Sequence, residues 1–367
     1  MGGVGATLGV EEEFHLLDPV DGGLVPGAVD VVSEAAAAGG PDVEPELLQS
    51  TVETATPVCR SLDEVRASVV AARRSLLAAA AEVGLRVAAC GTVPDSGRRL
   101  PGIFPKRRYE ELAEEYQQVA REQMVCACQV QVGVPDRELA VALLPRVQPW
   151  LPVLLALSVS SPYFDRRDTG YGSYRTQVWS RWPTAGPASS YGSAAAYDSA
   201  VSALVSSGVI RDAGMIYFDV RPSARYPTVE VRIADSCPLV DDVMLLAALG
   251  RALVATEAAR VGSGSPPPSI RCEMLRAASW RASRSGMTGD LIDPFTASPV
   301  PAGELLARLV DHVSGALSRF GDAGVVAALL ADRAERGTSA DRQRVAHARR
   351  GDLRDVVSSV VTETAAA

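Results

Sequence analysis

The sequence predicts an α+β protein. Three observations carry this reading. Strand-like and helix-like segments alternate, but without the βαβ regularity of a parallel sheet. Several short strands alternate polar and apolar residues with period two, as half-buried antiparallel strands do. Long alanine- and leucine-rich stretches have the caps and stops of packed helices. Of the 367 residues, 47% are hydrophobic and 22% charged, a composition that excludes a disordered or fibrous chain. The length fits one large domain or two small ones.

The elements follow in order. Residues 8–16 read as a strand. Residues 48–56 read as another, ended by Pro57. Ser61-Leu-Asp-Glu64 is a capping box opening an alanine-rich helix that runs to residue 83 and stops at Gly84. A short apolar strand spans 86–90, an amphipathic helix 107–124 and an alternating strand 125–134. Asp136 caps the next helix, which Pro145 and Pro149 bend or break. Residues 161–193 are long for a structureless loop, and their tyrosines, Trp179 and Trp182 argue against disorder. A helix at 194–207, strands at 213–221 and 228–234, a long apolar helix at 239–261, an exposed turn at 262–269, and helices at 302–320 and 341–350 complete the chain.

Charge and rare residues exclude several functions. The net charge is −8, with 36 Lys+Arg against 44 Asp+Glu, which does not suit a binder of nucleic-acid phosphates. The one lysine, Lys106, lies in Phe104-Pro-Lys-Arg107, so no P-loop is present. His15, His312 and His347 are scattered, which argues against a histidine-built zinc site. None of the six cysteines forms Cys-x-x-Cys, and free buried thiols are expected. Cys126 and Cys128 are expected to share a strand face. The N-terminus lacks a basic region followed by an apolar run, and the apolar stretch 150–159 is short of the ~20 residues a bilayer span needs. A cytoplasmic protein without a membrane or nucleic-acid partner is the expectation.

The chemical signal lies in the strands. In Gly9-Val-Glu-Glu-Glu-Phe14, alternation puts Glu11, Glu13 and His15 on one face, with Val10, Phe14 and Leu16 on the other. Adjacent carboxylates on one face repel unless a cation compensates, and oxygen ligands spaced this way suit a hard cation such as Mg²⁺. The alternative is a solvated acidic edge strand. Glu46-Leu-Leu-Gln-Ser-Thr-Val-Glu53 repeats the theme. Glu230 and Arg232 share a face of Thr228-Val-Glu-Val-Arg-Ile233, and Asp219 and Arg221 give the same pattern in Tyr217-Phe-Asp-Val-Arg-Pro222. Either pair alone is an ordinary surface ion pair; several such strands facing one cavity are not.

These motifs occur together with Asp168-Thr-Gly-Tyr-Gly-Ser-Tyr-Arg175 and Gly337-Thr-Ser-Ala-Asp-Arg-Gln-Arg344, in an order that resembles the carboxylate–amine ligase family, also called glutamate–cysteine ligase type 2. The resemblance runs from about residue 7 to the C-terminus and implies one domain over 1–367. It implies a curved, mainly antiparallel, glutamine-synthetase-like sheet forming a funnel-like cavity, with helices outside. It implies ATP and Mg²⁺ as cofactors and amide formation through an acyl phosphate, with a small-molecule carboxylate and amine as substrates. By the same resemblance Glu11, Glu13, Glu46, Glu53 and Glu230 hold metal ions. Arg232 and Glu53 act at the transferring phosphoryl group. Gln129, Gln131, Arg175, Trp179, Asp219 and Arg221 shape the substrate and nucleotide pocket. Family members often associate as dimers, so a homodimer is compatible.

The sequence also departs from the family. A strand that usually reads His-Val-His-Val-Gly is Gln129-Val-Gln-Val-Gly133 here, Gly91-Thr-Val-Pro94 lacks a usual histidine, and Phe218 replaces a usual Trp. Glutamine is a neutral, weaker ligand and cannot shuttle a proton near neutral pH. Three readings follow: a ligase with an altered substrate, a conventional glutamate–cysteine-type ligase, and a repurposed binding protein on the same fold.

Overall fold

The computed structural model describes residues 3–95 and 101–366. Its centre is a seven-stranded antiparallel sheet built from β1 (Leu8–Leu17), β2 (Val43–Pro45), β3 (Thr51–Ala55), β4 (Arg86–Ala88), β5 (Ala127–Gly133), β6 (Val220–Pro222) and β7 (Thr228–Asp235). The order is β2-β3-β1-β5-β7-β6, and β4 pairs with the C-terminal half of β1. The β5–β7 register shifts between Cys128 and Val130, a bulge that bends and twists the strand locally.

One face of the sheet is apolar and covered by helices. Val10, Val130, Val132, Val229 and Val231 pack with Leu245, Leu249 and Leu253 of the helix Val240–Gly262. Phe14, Leu16 and Val52 pack with Leu76, Ala79 and Ala80 of the helix Leu62–Glu82. Glu12 also falls on this face. It is buried against Arg73, whose Nη2 and Nε donate to its carboxylate at 2.6 and 3.2 Å. The guanidinium also donates to the carbonyls of Cys237 and Pro238, so the charge is fully bonded. The opposite face carries Glu11 and Glu13.

The long helices lie where the pattern predicts, at Leu62–Glu82, Val240–Gly262 and Ala302–Phe320. Ser61 Oγ accepts from the Glu64 amide at 3.2 Å, but the Glu64 carboxylate bonds the Arg60 amide rather than that of Ser61. Asp136 caps Arg137–Val147, and beyond Pro145 the chain passes through a 3₁₀ turn at Gln148–Trp150 into Leu151–Ser158. By length and composition Arg137–Ser158 could cross a membrane, yet 83% of its apolar window is buried inside the fold.

Other expectations are corrected. The expected strand 48–56 begins only at Thr51, because the Thr51 amide turns back onto the Leu48 carbonyl. The expected helix 107–124 breaks at Gln117, whose φ is +50°, leaving Arg107–Tyr116 and Gln118–Arg121. The expected strand 213–221 shrinks to β6. Asp212 caps a 3₁₀ turn at Ala213–Met215, and Arg221 folds that turn back by donating to the carbonyls of Gly214 and Ile216. Cys126 lies just before β5, so the alternation argument does not reach it. All six thiols are free, and Cys272 is the least buried. His15 is wholly buried outside the cavity lining, and burial pushes its ring down to about 4, so it stays neutral.

The long 161–193 segment is ordered. It contains a two-stranded ribbon, Tyr163–Phe164 with Arg167–Asp168, and the helix Arg175–Trp179. Asp235, buried at the end of β7, accepts from the Ser160 amide and from the hydroxyls of Ser161 and Ser173 at 2.7–3.0 Å. Arg344 clamps Asp168 with two bonds of 2.8 and 2.9 Å and bonds the Tyr171 carbonyl. The 168–175 and 337–344 motifs therefore fasten the aromatic segment to the sheet and to the helix Ser339–Ala348.

Candidate active site

The acidic face lines a cavity of about 260 Å³. Glu11, Glu13, Glu46, Glu53, Gln129, Arg175, Trp179, Arg221 and Arg232, all singled out in the sequence, line its wall. Register explains the convergence. Glu13 stands directly opposite Glu53 on β3, Glu11 opposite Gln129 on β5, and Gln131 opposite Glu230 on β7. Glu46 joins from the turn between β2 and β3.

Like charges directly opposite in a sheet are destabilising, and the protonation equilibria show it. Burial raises the carboxyls of Glu11 and Glu13 above the ordinary range. Burial and the neighbouring Glu13 bring Glu46 up to about 7. Glu53 is raised well above the ordinary range, by burial and then by Glu46, Glu11 and Glu13, and its carboxylate accepts no hydrogen bond among the described residues. Glu11 and Glu13 are held by amides: Gln131 Nε2 donates to Glu11 at 3.1 Å, and Gln129 Nε2 and the Ala127 amide donate to Glu13 at 3.2 and 2.7 Å.

Glu230 behaves differently. Burial works to raise its carboxyl, but Arg221 and Arg232 overcome this and hold it at about 2. Arg221 Nε donates to Oε2 at 2.6 Å and Arg232 Nη1 to the same oxygen at 3.2 Å. Glu230, expected to hold a metal, is bonded by two arginines here and lies outside the lining of the acidic cavity. Gln129 Oε1 accepts from Arg232 on the other side. Asp219 is also placed elsewhere. It lines a neighbouring cavity, separated from the acidic one by Trp179.

Six of the thirteen buried side-chain polar atoms without a partner among the described residues belong to residues that line the acidic cavity. They are Arg232 Nε, Arg175 Nε, Thr51 Oγ1, Trp182 Nε1 and both polar atoms of the Gln123 side chain. Native folds rarely leave such groups unsatisfied, and a ligand is one thing that satisfies them. Sequence reasoning missed Gln123, Tyr217, Arg108 and Tyr109, which also line the cavity. Gln123 lies just past the helix Gln118–Arg121 and belongs to no motif, so no local signal marks it.

The donor set has the chemistry of a Mg²⁺–triphosphate site: hard carboxylate oxygens in excess, and an arginine with an unspent N–H. As the side chains stand, no group of three or more His, Cys, Asp or Glu residues among the described ones is gathered so as to hold an ion. The fit is thus one of donor type and charge rather than of a preformed cage.

Comparison with known proteins agrees with this architecture. Residues 7–359 match the model of glutamate–cysteine ligase family 2. A Frankia alni protein named putative glutamate–cysteine ligase 2-2 is 47% identical over 372 residues, covering 98% of this chain and 97% of that one. A second from the same strain, putative glutamate–cysteine ligase 2-3, is 50% identical over 360 residues, and there the chain spans 41% of the relative's length. Among solved structures, a glutamate–cysteine ligase from Francisella tularensis in complex with AMP superposes with a TM-score of 0.71 at 11% identity, covering 100% of this chain and 89% of that one. A bifunctional glutathione synthetase from Pasteurella multocida gives 0.69 at 16% identity, with 98% and 52% covered. At such identities the likeness is one of fold. The chain belongs to glutamate–cysteine ligase family 2.

Proposed function

We propose that the chain is an ATP- and Mg²⁺-dependent carboxylate–amine ligase. One observation carries the reading: four carboxyls, all raised chiefly by burial and three of them further by their acidic neighbours, share a cavity with an arginine whose Nε is buried and unbonded. Glu11, Glu13, Glu46 and Glu53 hold the ions, and Glu230 and Gln129 hold Arg232. Magnesium, when bound, screens the repulsion between triphosphate and substrate carboxylate. Arg232 offers its planar fork to the transferring phosphoryl group, where charge spreads in the transition state. The substrate carboxylate attacks the γ-phosphorus, ADP leaves, and the amine then displaces phosphate from the acyl phosphate to give the amide.

The substrate pair is proposed to differ from glutamate and cysteine. Gln129 stands in the cavity wall where a family histidine is usual, and Gln131, also at a family histidine position, lies outside the lining and is spent on Glu11 and Thr228; proton-shuttling capacity and imidazole ligands are thereby removed there. The relatives' names favour the conventional pair as a second reading. The test is ADP release with Mg²⁺ across carboxylates and amines, glutamate and cysteine included. ADP release that requires both partners supports the ligase. No ADP with any pair, together with no nucleotide-dependent thermal shift, defeats it, because a ligand that binds the fold must stabilise it.

A further inference from the structure

A second cavity, of about 330 Å³, lies against the other side of Trp179. The helix Arg175–Trp179, the turn at Ala185, Gly186 and Pro187, Asp219, Ile233 and the outer face of the helix Cys272–Ser285 enclose it. We infer that this cavity binds the ammonium group of a primary amine with a flat apolar body, the amine partner of the ligation.

Three features argue for it. The first is a fixed carboxylate. Asp219 is pinned by its backbone, its amide donating to the Gly186 carbonyl and its carbonyl accepting from the Arg232 amide, each at 2.9 Å. Its side chain accepts no hydrogen bond among the described residues, and burial brings its carboxyl up to about 6. Two cations act on it from a distance without bonding it: Arg175, whose Nη atoms bond the carbonyls of Ile233 and Arg232 and approach Asp235, and Arg276, which lines the same cavity, is exposed and makes no ion pair among the described residues.

The second feature is the walls. Trp179 and Trp280 both line the cavity, and indole faces attract cations as well as burying apolar surface. Trp280 is 43% exposed, high for a tryptophan with no role outside the fold. The third is position. Trp179 lines both cavities, with the Arg175 guanidinium 5.6 Å from its ring centroid. An amine seated on Asp219 thus sits beside the wall of the cavity where the acyl phosphate forms. The inference rests on the ligase reading for the role of the amine, but not for its binding.

Direct binding tests it on the full chain without nucleotide. Phenethylamine at pH 7.5 is titrated by calorimetry and by saturation-transfer NMR, with 3-phenylpropionate as the anionic match. Phenethylamine is expected to bind about tenfold or more tightly than 3-phenylpropionate, and Asp219→Asn to weaken it by about tenfold, the loss of one charge-assisted bond. Trp280→Ala, at a position 43% exposed, is expected to weaken it several-fold. Equal binding of the two probes, unchanged affinity in both variants, or no binding at millimolar concentration overturns the inference. A missing Mg–ATP thermal shift would defeat the ligase reading and leave the ammonium site standing. Unchanged phenethylamine affinity in both variants would do the reverse.

Discussion

Replacing Glu53 with glutamine should stabilise the metal-free protein while destroying its response to Mg–ATP. Glu53 stands directly opposite Glu13 in the sheet and has Glu44 on its other flank. Side chains opposite in register are about 5 Å apart at Cβ. Two full charges at that distance repel by about 3 kcal/mol at an effective dielectric near 20. The cluster shares protons, so only part of this is realised, and a net gain of about 1–2 kcal/mol is expected at pH 8. That corresponds to a rise of about 2 °C or more in the thermal midpoint. The sign follows from the raised carboxyl of Glu53. A raised group favours the fold below the unfolded pKa and loses that contribution as pH rises through the folded one. The gain of the variant should therefore shrink at pH 5, where protons already occupy the cluster. Thermal melts in EDTA and in Mg–ATP, at both pH values, measure it. A variant that melts below the parent in EDTA at pH 8, or that keeps the full Mg–ATP shift, refutes the reasoning.

Three more outcomes are expected. The metal-free chain should lose stability as pH rises from about 4.5 through about 7, where Glu46 ionises in the fold; a shift of that size is worth up to about 3 kcal/mol. Its Mg²⁺-induced stabilisation should thus be larger at pH 8 than at pH 5, and a pH-independent stabilisation would count against the cluster as the ion site. Arg232→Lys should lower kcat more than it raises KM for ATP, since a point charge replaces a fork; equal losses would make Arg232 a ground-state anchor. Arg73→Ala should cost about 3–5 kcal/mol by leaving the Glu12 charge buried alone, as urea denaturation would read; a loss under about 1 kcal/mol would show that the pair holds nothing.

Much of the site was legible because a strand has period two. Glu11 and Glu13, Glu53, Gln129 and Gln131, and Glu230 and Arg232 sit at alternating positions, and antiparallel pairing then brings them to one face. The long helices were legible for a similar reason, since apolar spacing and stops are local. What alternation could not give was which acid pairs with which base. Glu230 faces the same way as its neighbours, but the turn at Ala213–Met215 brings Arg221 onto it, and that turn depends on contacts between distant residues. Asp219 and Arg221, two apart, were read as one face, yet they serve different cavities, because the regular strand begins only at Val220. The break at Gln117 had no signal at all: glutamine with a positive φ is a tertiary compromise.

The glutamine at position 129 bears on how such a cavity works. Its amide oxygen accepts from Arg232 while its nitrogen donates to Glu13, so one neutral side chain bridges the guanidinium and the acid that the proposed function sets at the phosphoryl group and at an ion. A neutral imidazole could also donate once and accept once. On gaining a proton, however, it would lose its acceptor and set a positive charge against the guanidinium. An amide keeps both bonds at every pH at which the fold exists. With His15 held neutral by burial, and the other two histidines outside the cavity lining, the protons that move in this cavity belong to the carboxylates. In the proposed ligase, Glu46, at about 7, and Glu53, raised beyond the ordinary range, would decide when the cavity can accept a cation. Ion binding and proton release would then be one event, with Arg232 held throughout by an amide and a carboxylate that do not titrate near neutral pH.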